Sequence, residues 1–216
     1  MISSNIKKRL LTSSVLLFIL FLIIKFKLFL VFFLIIFGTL SLIEFFNIIK
    51  KILTNTFLRL ICNLLFIIYI SSFCILLINF LNIFQLKLII FILLFGCIAS
   101  DIGGITVGKI LKGPKLTKLS PNKTISGAIG SILFTIILVN VLFFYFFRIF
   151  SVELLVVSLC TSLGCQIGDL FFSFLKRKAK IKDTGNILPG HGGLLDRLDG
   201  IFLGLPIGFI SLILLY

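Results

Sequence analysis

Residues 125–147 read ISGAIGSILFTIILVNVLFFYFF, with no Asp, Glu, Lys or Arg among them. Coiled into a helix at 1.5 Å per residue, this stretch reaches about 35 Å, and the hydrocarbon core of a bilayer, roughly 30 Å thick, needs about 20 such residues. The pattern recurs on both sides of it, near 10–24, 28–47, 58–80, 86–108, 151–175 and 198–216. The sequence therefore predicts an all-α, polytopic transmembrane helix bundle of about seven spans. Composition supports the same reading. Of 216 residues, 60% are hydrophobic, 27 are Phe, and only 13% are charged. Soluble domains carry roughly 45–50% apolar and about 25% charged residues, so a water-soluble fold is excluded.

The first apolar run, Leu10–Ile24 behind Lys7-Lys8-Arg9, resembles a signal peptide. It lacks a small-x-small cleavage site and leads straight into the next apolar run, so a retained first helix is expected. The five cysteines, Cys62, Cys74, Cys97, Cys160 and Cys165, all lie inside apolar runs. Their number is odd and no pair has metal-ligand spacing, so they are expected to be small buried hydrophobes.

The net charge is +14. In a soluble protein this would suggest nucleic acid. In a membrane protein Lys and Arg mark the cytoplasmic loops, so no nucleic-acid partner is expected. With the N-terminus placed inside, all of the 21 Lys and Arg fall in inner segments except Lys25, Lys27, Lys87 and Arg148. The asymmetry predicts seven crossings, the N-terminus cytoplasmic and the C-terminus outside, in the cell inner (cytoplasmic) membrane.

Only seven acids occur: Glu44, Asp101, Glu153, Asp169, Asp183, Asp196 and Asp199. An ionisable group within a span is costly and marks a candidate functional site. Counting 1.5 Å per residue, Asp101 and Asp169 each lie ~10 Å below the expected cytoplasmic surface. Asp196 and Asp199 enter the last span from the same side, three residues apart and so on one helix face. Such a pair can hold Mg²⁺, which takes one or two carboxylates and leaves room for phosphate and water. Equally, either acid can cap the helix, where its charge suits the dipole. Two further acids at the same depth favour the metal.

The segment between the last two spans is the least membrane-like part of the chain. It carries Lys176, Arg177, Lys178, Lys180 and Lys182, then Gly190-His191-Gly192-Gly193 ahead of Asp196. Cations there suit phosphate or anionic lipid heads. The glycines let backbone amides approach a phosphate just before a helix N-terminus. His191, the sole histidine, sits among them as a candidate site residue. The residues alone point to a membrane-embedded enzyme that uses a metal ion and a phosphorylated lipid.

These residues resemble the phosphatidate cytidylyltransferase (CDP-diacylglycerol synthase) family. The C-terminal signature is matched by Ser173-x-Leu175-Lys176-Arg177, then Lys182-Asp183-x-Gly185, then Leu188-Pro189-x-His191-Gly192-Gly193-Leu194-x-Asp196-Arg197-Leu198-Asp199. Gly168-Asp169-Leu170 precedes it, and Ser120-Pro121-Asn122-Lys123-Thr124 with Gly127 looks like a second family loop. Asp101 falls where the family has an intramembrane Asp. The likeness is specific from about residue 97 onward, which divides the chain into N-terminal helices, 1–96, and a catalytic half, 97–216, with cytoplasmic loops 109–124 and 176–197.

The resemblance implies that phosphatidic acid attacks the α-phosphorus of CTP and pyrophosphate leaves. It implies Asp169, Asp196 and Asp199 as catalytic metal ligands for Mg²⁺, with a second cation left open, and His191 as a catalytic-site residue. It implies substrate binding for Asp101, Ser120, Lys123, Lys176, Arg177, Lys182, Asp183, Gly192, Gly193 and Arg197. CTP, phosphatidic acid and the bilayer are the expected partners, and a homodimer is left open. The chain departs from the pattern at Phe172, where Glu is usual, and at Ile125 and Ser126, where an aromatic and an acid are usual. The region between Glu44 and Asp101 is also short. Three other readings remain: a CTP-dependent enzyme acting on an isoprenoid lipid, a membrane transporter, and an inactive scaffold whose Gly104-x-x-x-Gly108 spacing packs helices. Intramembrane acids suit a transporter, but the chain lacks an inverted repeat.

Overall fold

A computed structural model describes residues 26–80, 83–117, 120, 123–185 and 192–216, together with Ser14, Phe18 and Leu22. The helices are α1 (Lys27–Ile52), α2 (Thr56–Phe80), α3 (Phe84–Leu111), α4 (Ile125–Phe147), α5 (Val152–Lys178) and α6 (Leu195–Leu215). All six are long and apolar enough to cross a membrane. They match the expected spans from the second onward, and the first expected span, 10–24, lies almost wholly outside the described residues. Among the described residues the backbone forms one isolated β-bridge, between Lys115 and Thr124. Leu28, Leu65, Ile110, Ile167 and Leu214 are large apolar side chains left exposed. In water such a surface would aggregate, and in lipid it is the solvated face. The chain is a membrane protein.

The chain forms two compact units. The first comprises its N-terminal part to Asn79 together with Leu175–Arg197, and the second Phe80–Phe174 together with Leu198–Tyr216. Helices α5 and α6 contribute to both.

In the first unit, α1 and α2 are joined by only three residues, which forces them into an antiparallel pair. Phe45 stacks on Phe66 with ring centroids 3.8 Å apart. Further along, Gly38 lets Ile70 and Cys74 approach the α1 backbone.

In the second unit, α3 and α4 cross so closely that glycines are obligatory. A Cβ on Gly103 would stand 2.5 Å from the Gly130 carbonyl, and one on Gly127 would stand 2.8 Å from the Gly104 carbonyl. The Gly104-x-x-x-Gly108 spacing therefore packs α3 against α4 inside this chain, as small residues do where lipid offers no hydrophobic drive. Hydroxyls reinforce the seam. Ser131 Oγ donates to the Ser100 carbonyl at 2.7 Å, Ser100 and Ser162 hydroxyls meet at 3.2 Å, and Asn140 Nδ2 donates to Ser158 Oγ at 3.1 Å. Below them Ile92, Val139, Phe143 and Leu154 form an apolar core. The α5–α6 crossing is as tight: a Cβ on Gly164 would lie 2.9 Å from Gly204 Cα, and one on Gly168 would lie 2.4 Å from the Asp199 carbonyl.

Candidate active site

In the second unit the site is built on the loop 112–124. The chain leaves α3 through Lys112, whose φ of 43° ends the helix. It then doubles back, with the Leu116 amide donating to the Lys123 carbonyl at 2.8 Å and the Ile125 amide to the Pro114 carbonyl at 2.9 Å. Thr124 caps α4 by accepting the Gly127 amide at 3.1 Å. Ser126, one of the positions that departs from the family pattern, accepts the Gly113 amide at 3.2 Å and so ties the two ends of the loop. This hairpin delivers Lys123, whose Nζ donates to Asp169 Oδ2 at 2.7 Å. Asp169 Oδ1 faces the next helix: it would be 3.0 Å from a Cβ on Gly200. Asp169 and the Asp199–Gly200 turn thus sit at one level, because Gly168 and Gly200 remove the side chains that would hold α5 and α6 apart. Phe172, the third departure, is buried and packs on Phe202 in this unit.

In the first unit the signature loop folds around two carboxylates. Lys176 Nζ donates to Asp196 Oδ1 at 2.6 Å, with the two side chains only 14% and 9% exposed. Asp196 Oδ2 accepts the Thr184 amide at 2.8 Å and the Gly193 amide at 3.1 Å. Asp196 lies in the first turn of α6 and reaches back to an amide before it, so it serves the helix N-terminus as well as holding a cation. Gly192 has φ of +82°, the left-handed region that favours glycine. The second carboxylate is Glu44, from α1. It is 3% exposed and accepts Thr184 Oγ1 at 2.7 Å, the Leu194 amide at 3.0 Å and the Leu195 amide at 2.8 Å.

The structure thus pairs Lys123 with Asp169, and Lys176 with Asp196, and brings Gly193 onto Asp196. Arg177, Lys182, Asp183 and Arg197 are exposed in the first unit, as Asp101 is in the second, and Ser120 is half-buried. His191 lies outside the described residues. Glu44 was not among the site residues expected from sequence. Its signal was present, since it is an acid inside an apolar span, but no neighbouring motif drew attention to it.

Mg²⁺ is commonly held by one or two carboxylates plus substrate phosphate, and each unit offers hard carboxylate oxygens of that kind, Asp196 in the first and Asp169 and Asp199 in the second. Among the described residues no three His, Cys, Asp or Glu side chains form a ready-made metal cluster. Both Asp169 and Asp196 hold a lysine ammonium in contact.

Residues 8–215 match the model of the cytidylyltransferase family. Similar proteins include a phosphatidate cytidylyltransferase of Rickettsia bellii, 43% identical over 129 residues, which are 55% of this chain and 55% of that protein. A phosphatidate cytidylyltransferase of Staphylococcus haemolyticus is 42% identical over 116 residues, 53% of this chain and 45% of its own length. One from Bacillus subtilis is 39% identical over 123 residues, 54% of this chain and 44% of its own length. The chain spans about half the length of the curated relatives it matches.

Proposed function

The chain belongs to the cytidylyltransferase family, and from that premise we propose that it transfers the cytidylyl group of CTP to phosphatidic acid, giving CDP-diacylglycerol and pyrophosphate. The names of its relatives support this substrate pair. The observation that carries it is the Lys176–Asp196 pair, a phosphate-binding cation and a hard-oxygen ligand held side by side and mostly out of water. The catalytic half is 97–216, and its basic loops face the cytoplasm from the inner membrane, where CTP is met.

In the reaction a phosphate oxygen of the lipid forms a bond to the α-phosphorus of CTP, and the bond from that phosphorus to the bridging oxygen of pyrophosphate breaks. The lipid phosphate is already anionic at neutral pH, so no general base is required. What the protein supplies is position and positive charge. Lys123 and Lys176 have ammonium groups fixed by carboxylates, so little order is lost when they meet phosphate oxygens. Arg177, Lys182 and Arg197 are exposed cations for the triphosphate or the lipid head. Gly192 and Gly193 shape the loop around it, and His191, Asp183, Ser120 and Asp101 belong to the set of site residues. Asp169, Asp196 and Asp199 would hold Mg²⁺, which neutralises charge on the phosphates.

The test is purified protein in mixed micelles with Mg²⁺, CTP and phosphatidic acid, read by pyrophosphate release. Release that requires both substrates is expected. Release with an isoprenyl phosphate but none with phosphatidic acid would reassign the lipid, and none with either would overturn the transferase reading.

A further inference from the structure

Helix α6 begins at Leu195, and the residue before it, Leu194, has no side-chain oxygen to cap the first amides. Those amides still need acceptors, since they are buried. The acceptor comes from far away in sequence: Glu44 takes the Leu194 amide on Oε1 and the Leu195 amide on Oε2. A carboxyl side chain within an apolar span is an expensive way to cap a helix. A serine or aspartate at position 194 would do it locally.

The same carboxylate reaches further. Thr184 has one hydroxyl hydrogen. Its Oγ1 lies 2.7 Å from Glu44 Oε2 and 3.1 Å from Asp196 Oδ2, so the shorter bond goes to Glu44. With the hydroxyl anchored there, the Thr184 amide is turned onto Asp196 at 2.8 Å. The turn leaves no spare room. A Cβ on Gly193 would stand 2.0 Å from Thr184 Oγ1 and 2.5 Å from Glu44 Oε2, and one on Gly185 would stand 2.7 Å from Glu44 Oε1. Gly185 is hemmed in by Glu44, and Gly193 by Thr184 and Glu44 together.

We propose that Glu44 is a positioning residue that sets the orientation of Asp196 through Thr184 and the first amides of α6. This rests on the transferase reading, because Asp196 matters to chemistry only there. Glu44 meets the Thr184 hydroxyl and two backbone amides. It fixes the turn whose amides hold one oxygen of Asp196, leaving the other for Lys176 and a cation. Residues that orient a metal ligand tune affinity for the metal by roughly 10–100-fold.

The test uses the full chain with Glu44→Gln, which keeps volume but replaces one acceptor oxygen by a donor. Binding of Mn²⁺ alone, followed by electron paramagnetic resonance, should weaken by roughly 10–100-fold. Hydrogen exchange at residues 193–196 should quicken, and kcat should fall more than the KM for CTP rises. Thr184→Val should reproduce these losses, Thr184→Ser should recover most of them, and Glu44→Gln with Thr184→Val should be little worse than either alone. A merely structural cap would lower thermal stability and leave Mn²⁺ affinity unmoved in the folded fraction. Wild-type Mn²⁺ affinity and kcat in Glu44→Gln would overturn the inference and leave the transferase reading standing. If Glu44→Gln fails to fold, equal Mn²⁺ affinity in Thr184→Val and Thr184→Ser overturns it instead. A wild-type protein that neither binds Mn²⁺ nor consumes CTP would end the transferase reading itself.

Discussion

The carboxylate of Glu44 accepts the backbone N–H of Leu195 at 2.8 Å, across 151 residues of sequence. The contact ties the start of the last helix to α1, and the same carboxylate accepts the hydroxyl of Thr184 in the loop before that helix. Around it the signature residues serve two ends at once. They satisfy a helix N-terminus inside an apolar protein, and they hold the Lys176 ammonium against the Asp196 carboxylate.

Asp196→Asn removes charge at almost constant volume. Asn keeps one acceptor oxygen, so it can take either the Thr184 and Gly193 amides or Lys176 Nζ, and its Nδ2 donor then faces the other donor group. Turnover should fall by roughly 100-fold or more, the scale of losing one preorganised charge in a transition state. Expression should be retained and steady-state pyrophosphate release is the readout. Near-normal turnover would remove Asp196 from the site.

Lys123→Met leaves Asp169 without the ammonium now 2.7 Å from Oδ2. If Lys123 meets phosphate during the reaction, kcat/KM for CTP should drop by roughly 100-fold. Lys123→Arg, which keeps the charge, should lose less. Equal losses in the two variants, measured by initial rates over a range of CTP, would assign Lys123 to packing alone.

Gly168→Ala places a Cβ 2.4 Å from the Asp199 carbonyl, against backbone that cannot swing aside. Overpacking of this kind costs about 1–3 kcal/mol, and here it also pushes Asp199 away from Asp169. Thermal stability in detergent and turnover should both fall. Gly113→Ala meets chiefly the Ser126 side chain, whose nearest atom is its hydroxyl oxygen at 2.8 Å. It is expected to be milder on both measures.

If the chain makes the proposed seven crossings with the N-terminus inside, a tag after Tyr216 should be reachable only from the non-cytoplasmic side. Labelling of intact and permeabilised cells with an impermeant reagent checks this. Labelling that requires permeabilisation would contradict the orientation.

Much of this was legible in the sequence for one reason: lipid forces the backbone into helices, so apolar length alone locates them. The run 125–147 became α4 with the same bounds. The loop lysines stand out in the sequence as a cluster of cations, and Asp169 and Asp196 as acids at the ends of apolar spans. Their partners were not. Nothing in spacing pairs Lys123 with Asp169 rather than with another acid, since that depends on the hairpin closed by Leu116 and Lys123. Glu44 was seen as an acid in a span, but its role depends on which backbone amides a distant helix leaves uncapped. Even the first turn of α6 starts three residues ahead of the expected span, because Glu44 and Asp196 satisfy amides that would otherwise call for water.

The transferase account is tested most directly by following CTP radiolabelled at the α-phosphorus in a reaction with phosphatidic acid and Mg²⁺. Label should pass into a lipid extractable with chloroform, while label at the γ-phosphorus should leave as pyrophosphate. Failure of the α-label to enter lipid, with protein that is folded and binds Mn²⁺, would contradict it.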